Sequence, residues 1–440
     1  MNNLERLAKA VTAAGVEVPF VELGGVVREV APTHYRVRGI SQVVKLGDRV
    51  RLDAGAHFSI GEVVRVDEAE ATIKPFDSRF SVGIGMVARI TGAMHLSPAP
   101  EWKGRVIDAL GEPIDSLGPL PRGDRPVPID VAPPPAMARE RISRPLKTGV
   151  RVIDLFTPLC RGQRVGVFAG SGVGKSTLLA MLARSNAFDT VVVALVGERG
   201  REVREFLEGP LAENRGRSIT IVATGDESPM MRRLALLSAM SVAEYFRDRG
   251  ESVLLIADSV TRYAHAARDV ALAAGEPAVA RGYTPSVFSD LPKILERAGP
   301  GKVGTGSITG VFAVLVDGDD HNDPVADAIR GTLDGHIVLD RAVADQGRYP
   351  AVNVLGSISR LADLVWTADQ RVLVRSLKTM IARYEDTRDL RTMGGYHPGN
   401  DAELDRAVAV VPRIYAALRQ DPADKPSTDV FAELALLMRP

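Results

Sequence analysis

Five apolar runs in the middle of this chain constrain its fold more than any other feature. They are rich in β-branched residues, and helical segments separate most of them. The runs are RVGVFAG (164–170), TVVVALVG (190–197), ITIVAT (219–224), SVLLIADS (252–259) and GVFAVLVDG (310–318). Strands that are apolar along their whole length are buried on both faces, and helices between them cover those faces. The pattern predicts an α/β domain built on a parallel sheet.

The sequence patterns on either side of this domain differ from its own. Between about Phe20 and Ile90, short β-branched runs are separated by Gly and Asp, which is typical of a small β-barrel. After about residue 368 the strand pattern stops, and three segments with helical periodicity follow. A chain of 440 residues is too long for one ordinary core. We therefore expect a helix at 1–19, a β-barrel at 20–92, the α/β domain at 93–368 and a helical domain at 369–440.

Two further segments have a recognisable character. Residues 3–14 place four apolar side chains on one face of a short helix, which either docks on its own domain or binds a partner protein. Residues 113–136 are rich in proline, which predicts a stiff, extended connector over the surface.

Composition excludes several kinds of function. Lys+Arg and Asp+Glu both number 55, so the zero net charge excludes a whole-chain attraction to nucleic acid or to an anionic membrane. Cys160 is the only cysteine, so no intramolecular disulfide can form and a reducing compartment is expected. The N-terminus lacks the apolar core of a secretory signal, and no run of about 18 apolar residues occurs. We expect a cytoplasmic protein that reaches a membrane only through a partner.

The stretch A-G-S-G-V-G-K-S follows the first apolar run and opens a helical segment. It is one residue short of the P-loop pattern G-x-x-x-x-G-K-[ST], because Ala169 stands in place of the first Gly. Glycines within the loop let backbone N–H groups turn toward an anion, Lys175 supplies a cation for the β- and γ-phosphates, and the Ser176 hydroxyl suits Mg²⁺. We predict a site for ATP and Mg²⁺ formed by Ala169, Gly170, Ser171, Gly172, Val173, Gly174, Lys175, Ser176 and Thr177.

Two carboxylates are candidates for the chemistry beside this loop. Asp258 ends an apolar run, and P-loop enzymes place a second acidic residue for Mg²⁺ at such a strand end. Glu198 directly follows the run at 190–197, so it is a candidate to orient or deprotonate the attacking water. Arg262, four residues after Asp258, is either a second cation near the γ-phosphate or a structural ion-pair partner.

Longer segments around these residues resemble the α/β subunit family of rotary ATP synthases. They are GERGREVREF, IADSVTRYAHAARD, SITGVFAVLVDGDDHNDPVADAIRGTLDGHIVLDR and PAVNVLGSIS (350–359). The resemblance covers nearly the whole chain and implies a RecA-like P-loop core between an N-terminal barrel and C-terminal helices. Within the family, FAGSGVGKSTLL and GEPAVARGYTPSVFSDLPKILERAG (275–299) are most similar to the type III secretion ATPases, in particular the flagellar ones.

The resemblance implies a role for each of several residues in the phosphate region. Lys175 and Ser176 match the family's phosphate and Mg²⁺ ligands, and Asp258 matches its second Mg²⁺-site acid. Glu198 matches the catalytic carboxylate, and Arg199 matches the arginine that follows it.

Further roles concern the base and the neighbouring subunit. Tyr349 matches an aromatic that packs on adenine, with a core aromatic as the alternative, and Tyr396 is a second candidate to cover the base. Arg360 matches an arginine finger that reaches a neighbour's nucleotide. Because one chain carries both Glu198 and Arg360, identical copies in a closed ring would complete each other's sites. The resemblance implies a homohexamer.

The implied function is hydrolysis of ATP to ADP and phosphate to energise export of flagellar or secreted proteins. The implied partners are stator and stalk proteins of the export apparatus, secreted substrates with their chaperones, and an export gate at the inner face of the cell membrane. The alternatives are a virulence-type secretion ATPase, a rotary synthase subunit and a ring-shaped RNA translocase. The last needs stacking aromatics on a basic face, and residues 20–90 hold only five aromatic rings among mixed charges. We therefore expect no nucleic-acid partner.

Overall fold

The computed structural model describes residues 22–54, 57–77, 81–209, 211–316 and 323–437. The helix expected within residues 1–19 lies outside these described residues. Contacts divide the chain into two compact units. The first consists of the described residues up to Met94 with Ser228–Met230 and Asp269–Glu276, and the second consists of the rest of the described residues.

The first unit is built on a closed barrel of antiparallel strands. The strands are β1 (Gly24–Val30), β2 (Tyr35–Arg38), β3 (Arg49–Ala54), β4 (His57–Val66), β5 (Glu70–Pro75) and β6 (Val87–Gly92). Around the barrel they follow the order β1–β2–β5–β4–β3–β6, and β6 pairs with β1 to close it. Fully buried side chains that include Val27, Tyr35, Val50 and Ile73 fill the interior. The expected small β-barrel is confirmed.

The second unit begins with short strands. They are β7 (His95–Leu96), β8 (Val106–Asp108), β9 (Val127–Pro128), β10 (Pro145–Leu146) and β11 (Leu159–Cys160). β7 pairs with β9, and β10 pairs with β11, in two small antiparallel sheets. Cys160, the last residue of β11, is fully buried.

The main sheet of this unit is parallel in its centre. Its further strands are β12 (Arg164–Ala169), β13 (Thr190–Glu198), β14 (Ser218–Thr224), β15 (Ser252–Asp258), β16 (Gly299–Pro300), β17 (Ser307–Leu315), β18 (Gly335–Leu339) and β19 (Ile358–Ser359). The order across the sheet is β19–β18–β12–β17–β15–β13–β14–β8, and β16 pairs with β17. Only β19 and β16 run antiparallel to their neighbours in this described sheet. The five predicted apolar runs correspond to β12, β13, β14, β15 and β17.

Helices connect and cover these strands. They are α1 (Arg151–Phe156), α2 (Lys175–Ala183), α3 (Gly200–Glu208), α4 (Pro229–Asp248), α5 (Val260–Ala273), α6 (Pro285–Arg297), α7 (Pro324–Thr332), α8 (Arg341–Asp345), α9 (Ala368–Asp386), α10 (Arg388–Thr392), α11 (Ala402–Leu418) and α12 (Val430–Leu437). None of the helices in the described ranges is both long enough and apolar enough for a membrane span.

The helical end of the chain differs from expectation in one detail. The first of its three expected helices is divided into α9 and α10 at Thr387, because the Thr387 backbone leaves helical geometry with φ −99° and ψ 13°. The Asp429 carboxylate accepts hydrogen bonds from the N–H groups of Phe431 and Ala432, which caps α12.

Packing joins the terminal helices to the sheet. Residues from one face of the sheet, from α2 and from α9, α11 and α12 share one apolar cluster, which includes Val167, Leu179, Val374 and Val411. The fold class is therefore confirmed: a barrel, a parallel-sheet core and a helical end.

A buried ion pair ties the proline-rich connector to this unit. Arg297 on α6 contacts both carboxylate oxygens of Glu244 on α4, at 3.0 and 2.6 Å. Its guanidinium also donates to the carbonyl of Ile129, in the connector, at 2.7 Å.

Candidate nucleotide site

The predicted phosphate loop lies between β12 and α2. Ala169 is the last residue of β12 and pairs in register with Leu315 and Leu339, so it has ordinary strand geometry and needs no glycine. Gly172 and Gly174 have φ of 79° and 97°, a region that side chains with a Cβ rarely enter. Gly172 and Gly174 therefore occupy positions whose backbone geometry requires glycine. Ala169, the departure from the strict motif, occupies a position that does not require it.

Two carboxylates from other strands converge on the lysine of this loop. Lys175 Nζ forms a close ion pair with Asp258 Oδ1 and lies 3.7 Å from Glu198 Oε1. Asp258 ends β15 and Glu198 ends β13, and these strands are parallel neighbours in the sheet. Because the carboxyl ends of parallel strands meet at one edge, side chains far apart in sequence come together there.

An irregularity in β13 sets the position of Glu198. The register with β14 shifts between Val196 and Glu198, and Gly197 has a φ of 70°. Arg262 donates to the carbonyl of Gly197, and its Nε lies 3.5 Å from Glu198 Oε1. A Cβ on Gly197 would lie 2.9 Å from Arg262 Cδ, so only glycine fits. This geometry favours the structural ion-pair role for Arg262.

Glu198 is buried, and burial raises its pKa to about 7. The positive charge of Lys175 opposes this rise, and the negative charge of Asp258 adds to it. Oε1 of Glu198 accepts no hydrogen bond from the described residues. A carboxyl with a pKa near neutrality can both take up and release a proton at working pH, which suits a general base.

Two cavities adjoin the loop. One, of about 310 Å³, is lined by Ser176, Glu198 and Asp258, among others. The other, of about 490 Å³, is lined by Gly174, Tyr349 and residues 419–422, among others. Thr177 and Pro422 line both. The site thus offers one space at the carboxylates and a second, larger one beside an aromatic ring.

Tyr349 is 47% exposed and lines the larger cavity, so it is not a core aromatic. Tyr396, the second candidate, does not line that cavity within the described residues. Its hydroxyl donates instead to Asp405 Oδ1 at 2.7 Å.

The two expected catalytic arginines lie outside both cavities. Arg199 is 72% exposed at the start of α3 and contacts Glu202 Oε1 at 3.3 Å. Arg360 is exposed, and its backbone N–H donates to the carbonyl of Asp334 at 2.9 Å. The structure therefore brings Lys175, Glu198 and Asp258 together and leaves Arg360 facing outward.

Sequence reasoning missed two contributors to the site. Arg341 donates to the carbonyl of Ser171 in the loop at 2.9 Å. It lies two residues after β18, a strand-end position like those of Glu198 and Asp258, but β18 is too short for its pattern to identify it as a strand. The segment 419–424 lines the larger cavity, and the N–H of Gln420 donates to the carbonyl of Tyr349 at 3.0 Å. No residue type in that segment signals a nucleotide.

Fold and site together define the class of protein. A P-loop between a buried strand and a helix, with carboxylates from two other parallel strands at its lysine, is the arrangement of a P-loop nucleoside-triphosphatase. Residues 149–359 match the nucleotide-binding domain of the ATP synthase alpha/beta family, and residues 366–435 match the C-terminal domain of the type III secretion ATPase EscN. The chain belongs to the ATP synthase alpha/beta family, in its branch of flagellum-specific and type III secretion ATPases.

Individual relatives agree with this assignment. The chain is 56% identical over 412 residues to the flagellum-specific ATP synthase of Rhizobium meliloti (strain 1021), covering 94% of this chain and 88% of the relative. The assembled ATPase EscN from the enteropathogenic E. coli type III secretion system is similar in structure, with a TM-score of 0.88 and 38% identity over 94% of this chain and 99% of that chain. EscN in complex with its central stalk EscO matches over the same shares, with a TM-score of 0.86 and 37% identity. The expected ATP-hydrolysing enzyme is confirmed.

Proposed function

We propose that ATP hydrolysed at this site energises protein export by a flagellar secretion apparatus, with Glu198 as the residue that activates water. The observation that carries the assignment of roles is the convergence of Glu198 and Asp258 on Lys175 at the carboxyl edge of the sheet.

Charge neutralisation and positioning account for the chemistry. Lys175, the loop N–H groups and the N-terminus of α2 hold the negative oxygens of the phosphates. Glu198 orients a water in line with the γ-phosphate and accepts its proton, for which a pKa near neutrality is suited. Arg199 lies outside the smaller cavity but contacts Glu202, which lines it, so Arg199 adds positive charge near the site.

The oxygen donors in the smaller cavity fit Mg²⁺. The Ser176 hydroxyl and the Asp258 carboxylate both line it, and both are hard ligands. No cluster of three metal-binding side chains occurs in the described part of the chain. That is compatible with Mg²⁺, which takes one or two protein oxygens together with phosphates and waters. When bound, the ion would neutralise charge that develops on the β- and γ-phosphate oxygens.

Tyr349 supplies the wall on which the adenine packs. Its exposed ring faces a cavity of sufficient size, next to the loop that holds the phosphates. Stacking on an aromatic face is a common way to hold a base.

Arg360 acts in trans in this proposal. Its exposed side chain lines neither of the chain's own two cavities, so it would neutralise charge at a neighbour's site and accelerate hydrolysis by about 10³–10⁵. A closed ring of identical chains supplies one such arginine to every site. A homohexamer satisfies this requirement.

The flagellar assignment is supported by identity. The chain is 56% identical over 412 residues to the flagellum-specific relative and 45% identical over 369 residues to the SPI-2 type 3 secretion system ATPase of Salmonella typhimurium. The structural neighbour that holds a central stalk supports a stalk protein as partner here. Stator proteins, secreted substrates with their chaperones and a peripheral position at the membrane export gate complete the proposal. A virulence-type secretion ATPase is the alternative.

The decisive test replaces the carboxylate alone. Glu198→Gln keeps the shape of the side chain, so ATP binding should stay within about twofold while the turnover rate falls by about 10²–10⁴. Calorimetric titration with ATP and steady-state release of phosphate measure the two quantities. Near-normal turnover in this variant would remove Glu198 from its role.

A further inference from the structure

The residue before Tyr349 is held tightly by the terminal helices. The guanidinium carbon of Arg348 lies 3.7 Å from the centroid of the Tyr415 ring on α11. Oε1 of Glu385, on α9, accepts a hydrogen bond from the Tyr415 hydroxyl at 2.6 Å. The same oxygen lies 3.8 Å from Arg348 Nη2. The side chains of Arg348 and Glu385 are only 16% and 23% exposed, so water screens their attraction less than at the surface. Stacking and charge therefore fix Arg348 in one place.

A second contact from the same helix end holds Tyr349 itself. Its carbonyl accepts from the N–H of Gln420, which follows α11 by two residues. Gln420 is buried, and its side chain accepts from the N–H of Arg151 and donates to the carbonyl of Gly149, at 3.0 and 2.9 Å. The C-terminal end of α11 and the residues after it thus hold residues 348–349 twice, through the Arg348 side chain and through the Tyr349 carbonyl.

The ring of Tyr349, in contrast, is half exposed. The ring lies beside Gly174 of the phosphate loop, where an added Cβ would lie 3.8 Å from the ring. With little packing around the ring, the direction in which it faces depends on the backbone that carries it. An aromatic ring contributes to binding only to the extent that its position is set in advance.

We infer that Arg348 is a positioning residue for the nucleotide base: by stacking on Tyr415 beside Glu385 it holds Tyr349 as a wall of the larger cavity, and so couples nucleotide affinity to the packing of α9 and α11. This inference rests on the proposed role of Tyr349. It predicts that Arg348 affects binding through the base and leaves the grip on the phosphates unchanged.

The test compares a ligand that has a base with one that has none. In Arg348→Ala, the calorimetric Kd for ATP should rise about tenfold, which is the size of one lost aromatic stacking contact, while the Kd for inorganic tripolyphosphate should stay unchanged. KM should rise with kcat little affected, because the phosphate machinery is intact. An unchanged Kd for ATP would overturn the inference, and so would an equal loss for both ligands.

The chain supplies a matched control. Arg391 stacks on Tyr384 at 3.6 Å, nearly the same geometry as the Arg348 pair, but the residues on either side of Arg391 do not line the nucleotide cavity, whereas Gly347 and Tyr349 do. Arg391→Ala should leave the Kd for ATP within about twofold. A loss equal to that of Arg348→Ala would mean that bundle stability, and not Arg348, governs affinity, and would overturn the inference.

Milder variants keep the test decisive if Arg348→Ala does not fold. Arg348→Lys retains the charge near Glu385 without the planar group, and Tyr415→Phe retains the ring without the hydroxyl. Each should raise the Kd for ATP by about twofold to fivefold and leave tripolyphosphate binding as it was. No change in either variant would overturn the inference. Failure of the unmodified chain to bind ATP would instead refute the proposed function, so the two failures are distinguishable.

Discussion

Lys175 is shared by two carboxylates, and this sharing sets the charge state of the site. The ammonium contacts Asp258 closely and lies 3.7 Å from Glu198. The Arg262 guanidinium, 3.5 Å from Glu198 Oε1, is a second cation beside this carboxylate. The raised pKa of Glu198 follows from burial first; the positive charge of Lys175 opposes the rise, and the negative charge of Asp258 adds to it.

The raised pKa of Glu198 predicts the pH dependence of hydrolysis. A protonated Glu198 cannot accept a proton from water, so kcat/KM should fall as pH decreases through about 7, the pKa of this group in the free enzyme. Rates measured from about pH 5.5 to about 8.5 would locate this limb. ATP binding by Glu198→Gln, measured over the same pH range, is the control. Because this variant lacks the carboxyl, its pH dependence reports the titration of the nucleotide itself. A rate that stays constant down to about pH 5.5, as expected from the ordinary Glu pKa of 4.5, would contradict the prediction.

Conformation, and not motif identity, decides which loop positions need glycine. Ala169→Gly restores the strict motif but should leave KM for ATP unchanged, and weaken the strand by about 0.5–1 kcal/mol. Gly174→Ala forces a Cβ into a backbone with φ of 97°, so KM should rise and thermal stability should fall. Steady-state kinetics and thermal unfolding of the two variants check this contrast. Equal changes in KM and thermal stability for the two variants would contradict the prediction that backbone conformation decides where glycine is needed.

At the scale of elements, the buried pair between α4 and α6 should cost more to break than surface pairs do. Arg297 and Glu244 have side chains only 2% and 7% exposed. Removing one partner leaves an uncompensated buried charge.

Two substitutions on α6 test this difference. Arg297→Ala should destabilise the second unit by about 3–5 kcal/mol, because Glu244 loses its close partner and keeps, among the described residues, only Arg247, 3.9 Å away, and Ile129 in the connector loses a donor. Lys293→Ala removes an exposed pair on the same helix, at 3.0 Å from Asp290, and should change stability by less than about 1 kcal/mol. Denaturant unfolding measures both. Comparable losses would contradict the distinction between buried and exposed pairs.

Local pattern was sufficient for the barrel, the long apolar strands and the terminal helices, and insufficient for the shortest strands and for segments placed only by tertiary packing. β13 and β15 are buried throughout, so their composition alone identified them and placed Glu198 and Asp258 at their ends. β18 alternates buried and half-buried residues over five positions, a signal too short to separate from a turn. The segment 419–424 reaches the larger cavity only through tertiary packing of α11, which no local pattern encodes.

At the scale of the whole molecule, the proposed ring makes a prediction about mixtures of inactive chains. Glu198→Gln lacks the base and Arg360→Ala lacks the finger, so each should be inactive alone. In a mixed ring, a Glu198 from one chain can face an Arg360 from the other. Mixing equal amounts before assembly should restore roughly a quarter of normal activity, the random fraction of complete interfaces.

The control for this mixture pairs two lesions of the same site. Lys175→Ala mixed with Glu198→Gln cannot produce a site that has both residues, so no activity should return. Phosphate release measures both mixtures, and native mass spectrometry verifies that mixed rings form. Mixed rings without recovered activity in the first case would contradict an arginine that acts in trans.

The buried cysteine makes the chain convenient to observe at work. Cys160 is the only cysteine, it is fully buried, and burial raises its thiol pKa to about 11, so it should resist alkylating dyes at neutral pH. A cysteine placed at Met393, where the side chain is 85% exposed, would then be the sole reactive thiol of the folded chain. A fluorophore could be attached there without altering any native cysteine, which opens the helical end to single-molecule measurement during turnover.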